Sequence, residues 1–318
     1  MPISSIQHIS LTPPAYPRNR TGVIEIAQQW YNPSLVRLNQ DAIQSLPQGE
    51  VVAPPLGEVS LKMDRASSLL NATEFAIAMG AINHMFWHHD ENGQFVRYEH
   101  KGMVGALGMS KSFKEAWEDA KSPIRRARND GVPLTVSSIL DVFGNIPDPK
   151  GRMDILNEIL LSDQLPRFAQ KVEDFSLQGQ EFNTTFSALL ADAFPKGYAD
   201  EVLKKAQLTT SVIWRVALGL GYNLPPCSVT AFADYQIPNV LRALGILEYN
   251  LDLANHIDKG CLIQGSSAEE RAIRSASILA IEELATSQGV GVADVDYWVW
   301  LKRKEPQTPF HLTVTSAY

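Results

Sequence analysis

The 318-residue sequence predicts a mostly α fold: a single helical domain with few short strands. Three observations predict it. Apolar residues recur at helical spacing in several long segments, alternating strand-like runs are scarce, and no low-complexity or linker stretch divides the chain. A hydrophobic fraction of 45% is ordinary for a protein with a real core, and the length is enough to bury one without staples.

Taken in order, the first 16 residues are polar and broken by prolines. They have neither the basic start nor the apolar centre of a secretory signal, and residues 1–20 are expected to be extended. Phe75, Met79, Ile82 and Phe86 predict a helix over residues 65–87 with one apolar face. His88 and His89 are adjacent, so they point to different sides of a helix and read as its polar end rather than as two metal ligands. Asn92-Gly93 signals a turn before a strand of only four residues, Phe95 to Tyr98. Ile155, Ile159 and Leu160 predict a helix from about Gly151, bent at Pro166. Val202, Ala206, Val212, Val216 and Leu220 predict another that stops near Gly221, and residues 222–228, with two prolines, form a loop. A helix then begins near Tyr235, with Pro238 in its first turn, where the missing N–H costs little. Ser267 with Glu269 and Glu270 makes a good helix start, and Ile273, Ile281 and Leu284 carry that helix to Gln288. His311 to Thr315 is a short strand or part of a tail over residues 303–318. Prolines at 13–17, 54–55 and 147–149 mark loops.

Composition narrows the function. With 28 Lys and Arg against 35 Asp and Glu, the net charge is −7, which argues against DNA or tRNA as a partner. A small anion held by two or three local cations is compatible with that charge. Arg125, Arg126 and Arg128 form a small basic patch that reads as a solvated helix end. No run of about 18 apolar residues would cross a membrane. Cys227 and Cys261 are too few for a disulfide framework or a metal set, and suit a reducing, cytoplasmic compartment. Phosphate-loop, dinucleotide-fold, zinc-protease and nucleophile-elbow motifs are all missing, so neither cofactor nor metal is expected. Nothing in the sequence indicates an oligomeric state.

The densest unusual segment is Thr230 to Pro238, where Asp234 sits between Phe232 and Tyr235 at a loop-to-helix junction. Two readings fit. Asp234 caps the helix by accepting backbone N–H bonds, or it is a reactive carboxylate beside an aromatic platform for a planar base.

The run Phe232-Ala233-Asp234-Tyr235-Gln236-Ile237-Pro238, followed by Leu241, Gly245-Ile246-Leu247 and Tyr249, resembles the signature of the queuosine salvage proteins, the queuosine 5′-phosphate N-glycosylase/hydrolases. Other blocks resemble the family in the expected order: Phe86-Trp87, Arg152 with Leu156-Asn157-Glu158, Lys204 to Leu208, Glu270 to Glu282 with Arg274, and Asp296 to Trp300. The resemblance covers about residues 72–300. There are departures. Gln236 stands where the family usually has Arg, Asn239 where it has Gln, Lys205 where Arg is common, Ala272 where Glu is common, and His88-His89-Asp90 where Pro-Asp follows the tryptophan.

The resemblance implies a fold similar to that of helical DNA glycosylases and hydrolysis of an N-glycosidic bond in queuosine 5′-monophosphate, releasing queuine for reuse in tRNA. It implies that Asp234 stabilises the positive sugar and handles the attacking water. Asp296 would pair with the guanine-like edge of the departing base, and would otherwise be a surface residue or a cap. Phe232, Tyr235, Trp87 and Trp300 are candidate base contacts, although an aromatic on an apolar helix is commonly core. Lys205 and Arg274 are candidate phosphate contacts, with Lys204 as the alternative to Lys205, and solvated helix faces as the plainer reading. Two competing functions are a non-catalytic queuine or nucleotide binder and a nucleic-acid base glycosylase. The second would want a basic stripe that the charge does not supply.

Overall fold

Ser68 opens the central helix of the molecule by accepting a hydrogen bond from the amide of Asn71. The computed structural model describes residues 16–52 and 68–318, and fifteen helices and six strands of two or three residues lie among them. In chain order they begin with α1 (Arg20–Trp30), β1 (Val36–Leu38), α2 (Gln40–Ser45), α3 (Leu69–Ala81), β2 (Trp87–His89), β3 (Phe95–Arg97), β4 (Glu99–His100) and β5 (Met103–Val104). There follow α4 (Ala106–Glu118), α5 (Pro123–Asp130), α6 (Val136–Phe143), α7 (Pro149–Leu160), α8 (Gln164–Leu177), α9 (Thr184–Ala193) and α10 (Pro195–Tyr198). The last are α11 (Lys204–Gly219), α12 (Gln236–Ala243), β6 (Leu247–Tyr249), α13 (Leu251–Asp258), α14 (Ala268–Gln288) and α15 (Val292–Leu301). The fold is mostly α. The strands make only three two-stranded antiparallel pairs, β1 with β6, β2 with β3, and β4 with β5.

The helices bury two large apolar clusters. One gathers α3 with the helices from α4 to α11, around Phe75, Phe113, Trp117, Phe143 and Phe186. The other gathers α1, α12, α14 and α15, around Val23, Val240, Ile273, Ile281 and Val299. Helix α3 is buried on nearly its whole circumference, because Ala72, Ala76, Ala78 and Ala81 let neighbours approach between the larger Phe75 and Ile77. Gly80 marks the closest approach. A Cβ there would lie 2.1 Å from Thr209 Oγ1 on α11.

Several expectations are corrected. The helix predicted over 65–87 ends at Ala81, and residues 65–67 lie outside the described residues. One more turn would pair the Met85 amide with the Ala81 carbonyl, but Lys205 Nζ takes that carbonyl and the Met85 amide donates to the Tyr318 carbonyl instead. The Arg152 guanidinium then holds the turned chain by bonding the carbonyls of Pro147, His84 and Met85. Met85 then takes φ 38°, and Trp87, His88 and His89 enter the β2–β3 hairpin, so the two histidines are not a helix end. No bent helix passes through Pro166. α7 stops at Leu160, and Pro166 lies in the first turn of α8, where its missing N–H leaves no bond unmade. Of the two readings of His311 to Thr315, strand or tail, the tail is the one found. Leu312 makes an isolated bridge to Leu262 instead, while Phe310, Leu312 and Tyr318 are buried. The basic patch on α5 is not simply solvated, since Arg125 bonds the carbonyl of Trp117 and Arg128 pairs with Glu74 over the Trp117 ring.

Other expectations hold. α11 spans Lys204–Gly219, and Gly221 follows it at φ 95°. α12 starts one residue after Tyr235, with Pro238 in its first turn. Ser267 caps α14 by accepting from the Glu270 amide at 3.2 Å, and the helix runs to Gln288 before Gly289 at φ 67°. No helix among the described residues is long and apolar enough to cross a membrane. The expectations for residues 1–15 and for the prolines at 54–55 lie outside the described residues.

Candidate active site

The loop that carries Asp234 runs without regular structure between Ser228 and α12. Ala231 and Ala233 are fully buried in the second apolar cluster, which pins the chain on either side of Phe232. Asp234 Oδ1 accepts from the amides of Gln236 at 2.7 Å and Ile237 at 3.0 Å, so the carboxylate does cap α12. The cap uses one oxygen. Asp234 Oδ2 lies 3.7 Å from Lys204 Nζ, and the two side chains are 15% and 4% exposed.

Lys204 is the first residue of α11, and Leu203 before it adopts a left-handed φ of 57°. Its amide donates to Asp200 Oδ2 at 2.8 Å. Three residues on, Gln207 ties this helix to the Asp234 loop. Its Oε1 accepts from the Thr230 amide and from Thr184 Oγ1, and its Nε2 donates to Thr230 Oγ1 and the Val202 carbonyl, all at 2.8–3.0 Å. A buried glutamine with every bond made holds both elements in one register.

Asp296 comes from the middle of α15 and is 4% exposed. Its Oδ2 accepts from the amide of Phe232 at 2.8 Å. Burial pushes its carboxyl up to about 7, and the charge of Asp234 adds to that, while the Phe232 N–H and Lys204 pull the other way. Asp234, Asp296 and Lys204 therefore form one electrostatic cluster. A carboxyl balanced near neutrality can donate a proton where an ordinary aspartate cannot.

The remaining candidates are placed in different ways. Phe232 is 5% exposed and packs with Val229 and Ala293 against Leu208 and Cys227. Tyr235 lies on Phe310, ring centroids 4.5 Å apart, and burial raises its hydroxyl well above the ordinary range. Trp87 is 2% exposed, stacks on Phe95, and shares an apolar cluster with Tyr235, Phe310 and Tyr318. Trp300, one turn beyond Asp296, is half-buried, stacked with Tyr297, and carries the Arg303 guanidinium 3.5 Å over its ring. Lys205 is buried and donates to the Ala81 carbonyl at 2.6 Å, and burial together with Lys204 lowers its ammonium to about 7. Arg274 is buried in a two-bond fork with Asp200 at 3.0 and 2.8 Å, near Glu270 and the Ala233 carbonyl.

The structure thus brings Phe232, Asp234, Asp296 and Lys204 together, sets Tyr235 and Trp87 in an adjoining aromatic layer, and buries Lys205 and Arg274 behind them. Asp200, Gln207 and Tyr318 were not singled out by the sequence. A polar side chain on an otherwise buried helix is the signal that could have found Gln207, whereas Asp200 and Tyr318 lie outside the helices and strands and carry no such signal. A groove of about 510 Å³ lined by Cys227, Val229, Gly291 and Val292 borders the back of this loop and does not include Asp234. Among the described residues no three His, Cys, Asp or Glu side chains converge as a metal site.

The profile of the family described as Queuosine salvage protein matches residues 63–318, which include every residue of this cluster. The chain belongs to the queuosine salvage protein family. Among relatives of this chain is the queuosine 5′-phosphate N-glycosylase/hydrolase of Sphaerobacter thermophilus, 27% identical over 96% of this chain and 100% of the relative. The protein of the same name from Bos taurus is 26% identical over 76% of this chain and 80% of its own length. That of Schizosaccharomyces pombe is 32% identical over 35% of this chain and 34% of its own. The match of this chain to the Sphaerobacter relative runs nearly end to end, so it includes both apolar clusters as well as the candidate site.

Proposed function

We infer that this protein hydrolyses the N-glycosidic bond of queuosine 5′-monophosphate and releases queuine for tRNA modification. Membership of the queuosine salvage family carries the reaction and substrate class. The two carboxyls of unlike character beside one lysine supply the chemistry.

Asp234 is the residue that faces the sugar. One oxygen is fixed by two amides, so the other is aimed without freedom to rotate away. Its negative charge stabilises the oxocarbenium-like sugar, and it orients or deprotonates the water that attacks the anomeric carbon. The leaving group is a 7-deazaguanine, which lacks the N7 that purine glycosidases protonate. Asp296, able to hold a proton near neutrality, hydrogen-bonds the departing base through another edge as its charge develops. Phe232 lies beside the base and Tyr235 and Trp87 back the wall, while the Trp300 ring is already taken by Arg303 and Tyr297. Lys204 is the cation best placed for the substrate's anionic side, because it already stands beside Asp234. Lys205 and Arg274, bonded to the Ala81 carbonyl and to Asp200, stand in the layer behind.

A small nucleotide, rather than a polynucleotide, is the partner, in keeping with a charge of −7 and the structural use of Arg125 and Arg128. Two free cysteines fit a cytoplasmic setting.

The test is a turnover assay with queuosine 5′-monophosphate, unphosphorylated queuosine and guanosine monophosphate, following free base by mass spectrometry. Queuine released mainly from the monophosphate is the expected result. Tight binding with no release from any of the three would make the protein a nucleotide binder instead.

A further inference from the structure

Behind the Lys204–Asp234 pair lies a buried chain of polar groups that the reaction itself does not use. Tyr318 Oη donates to Glu270 Oε1 at 2.9 Å, and Glu270 lies 3.6 Å from Arg274 Nε. Arg274 forks onto Asp200 and also donates through Nε to the Ala233 carbonyl at 3.3 Å. Asp200 in turn accepts from the Lys204 amide at 2.8 Å. The chain therefore ends on two backbone atoms, the carbonyl immediately before Asp234 and the amide of Lys204. Its four side chains are 2–6% exposed, so they meet each other rather than solvent. A buried ionic network is costly to assemble, and when fully partnered it favours one arrangement over others.

The segment that supplies Tyr318 is fastened along its length. The Met85 amide donates to the Tyr318 carbonyl at 3.0 Å, and the Ile263 amide to the Leu312 carbonyl at 2.8 Å. Asn239 on α12 donates to the Thr308 carbonyl at 3.2 Å, and Phe310 lies against Tyr235. The Arg274 guanidinium sits 4.9 Å over the Tyr318 ring, and His311 Nε2 is 3.3 Å from the Tyr318 hydroxyl.

We propose that residues 308–318 are a positioning strap for the active site, with Tyr318 acting through Glu270, Arg274 and Asp200 to set the spacing between Lys204 and Asp234. The proposal rests on reading Asp234 as the reacting carboxylate and Lys204 as the cation beside it. Tyr318 and Arg274 are positioning residues, since each acts on the substrate only through the groups it orients.

Tyr318→Phe removes one oxygen and keeps the ring under Arg274. The expected result is a kcat lowered about tenfold with KM on queuosine 5′-monophosphate unchanged, because small misplacements of a reacting group act on the chemical step. Arg274→Lys keeps the charge but loses the fork, and lowers kcat further. Hydrogen exchange supplies a readout that needs no substrate. The Gln236 and Ile237 amides, which rest on Asp234, exchange faster in Tyr318→Phe, while those of Ala76 to Ala78 in α3 do not. A wild-type kcat in Tyr318→Phe, with only a lower melting temperature, would reduce the strap to a stabilising contact and overturn the proposal. So would unchanged exchange at Gln236 and Ile237, even if Arg274→Lys fails to fold. A wild-type protein that releases no queuine overturns the reading of the pair instead, and the exchange result still decides the strap.

Discussion

Asp234 shows how a single side chain can satisfy a structural and a chemical demand at once. Its Oδ1 caps α12 and its Oδ2 faces Lys204, and a substitution can separate the two. Asparagine caps a helix about as well as aspartate. Asp234→Asn should therefore melt near the wild-type temperature and still bind the nucleotide, while kcat falls roughly a hundredfold or more. A variant that turns over at the wild-type rate would remove Asp234 from the chemistry. Asp296 gives a second prediction through its proton. Its carboxyl is raised from the ordinary aspartate value to about 7 by burial, so the folded state holds the proton more tightly than the unfolded chain. The stability this contributes is fully present below about pH 4 and is lost as pH rises through about 7. Asp296→Asn keeps an oxygen for the Phe232 amide and carries no such proton. The melting temperature of the wild type relative to this variant should fall between pH 4 and pH 8, by an amount equivalent to a few kcal/mol. A constant difference across that range would show that Asp296 is charged throughout. At this scale the aromatic and acidic run Phe232 to Tyr235 was legible because its composition is unusual. The buried roles of Lys205 and Arg274 were not, since a lysine or arginine at helical spacing looks alike whether its partner is solvent, phosphate or a buried aspartate.

Among the elements, α3 and α11 show what periodicity can and cannot predict. The apolar recurrence that marks both helices is real, and Ser267, Gly221 and Pro238 mark boundaries within a residue or two because each has a local mechanism. The stop of α3 at Ala81 has distant causes, Lys205 on α11 taking the Ala81 carbonyl and Tyr318 taking the Met85 amide, and no local pattern records them. Gly80 is similar. In an exposed helix a glycine-to-alanine change stabilises by about 1 kcal/mol. Here the added Cβ would stand 2.1 Å from Thr209 Oγ1 and 3.0 Å from Tyr198 Oη, so the sign reverses. Gly80→Ala should destabilise by about 1–3 kcal/mol as α3 and α11 are forced apart. Because α11 carries Lys204 and its neighbour Lys205 bonds the last carbonyl of α3, kcat should fall with it. Thermal melts and turnover of the same preparation check both, and an unchanged or higher melting temperature would mean that the helix pair has room to yield.

For the molecule as a whole, composition spoke mainly by exclusion. The acidic balance matches a surface on which the one small cluster of arginines is partly engaged with Trp117 and Glu74. The mostly helical fold followed from the frequency of 3.6-residue recurrence, whereas the division of the apolar residues into two clusters depends on which faces meet and has no one-dimensional signature. That division has a mechanical consequence. Lys204 stands on a helix whose neighbours Leu203 and Ala206 belong to one cluster, and Asp234 on a loop whose Ala231 and Ala233 belong to the other. The Lys204–Asp234 pair spans a seam. What crosses the seam is polar, Gln207 to Thr230 and Arg274 from Asp200 to the Ala233 carbonyl, so a slip that breaks those few bonds parts the two charges while the helices on each side keep theirs. Turnover is then the most fragile property of the molecule, one that mild warming or dilute urea extinguishes while circular dichroism still reports an intact set of helices.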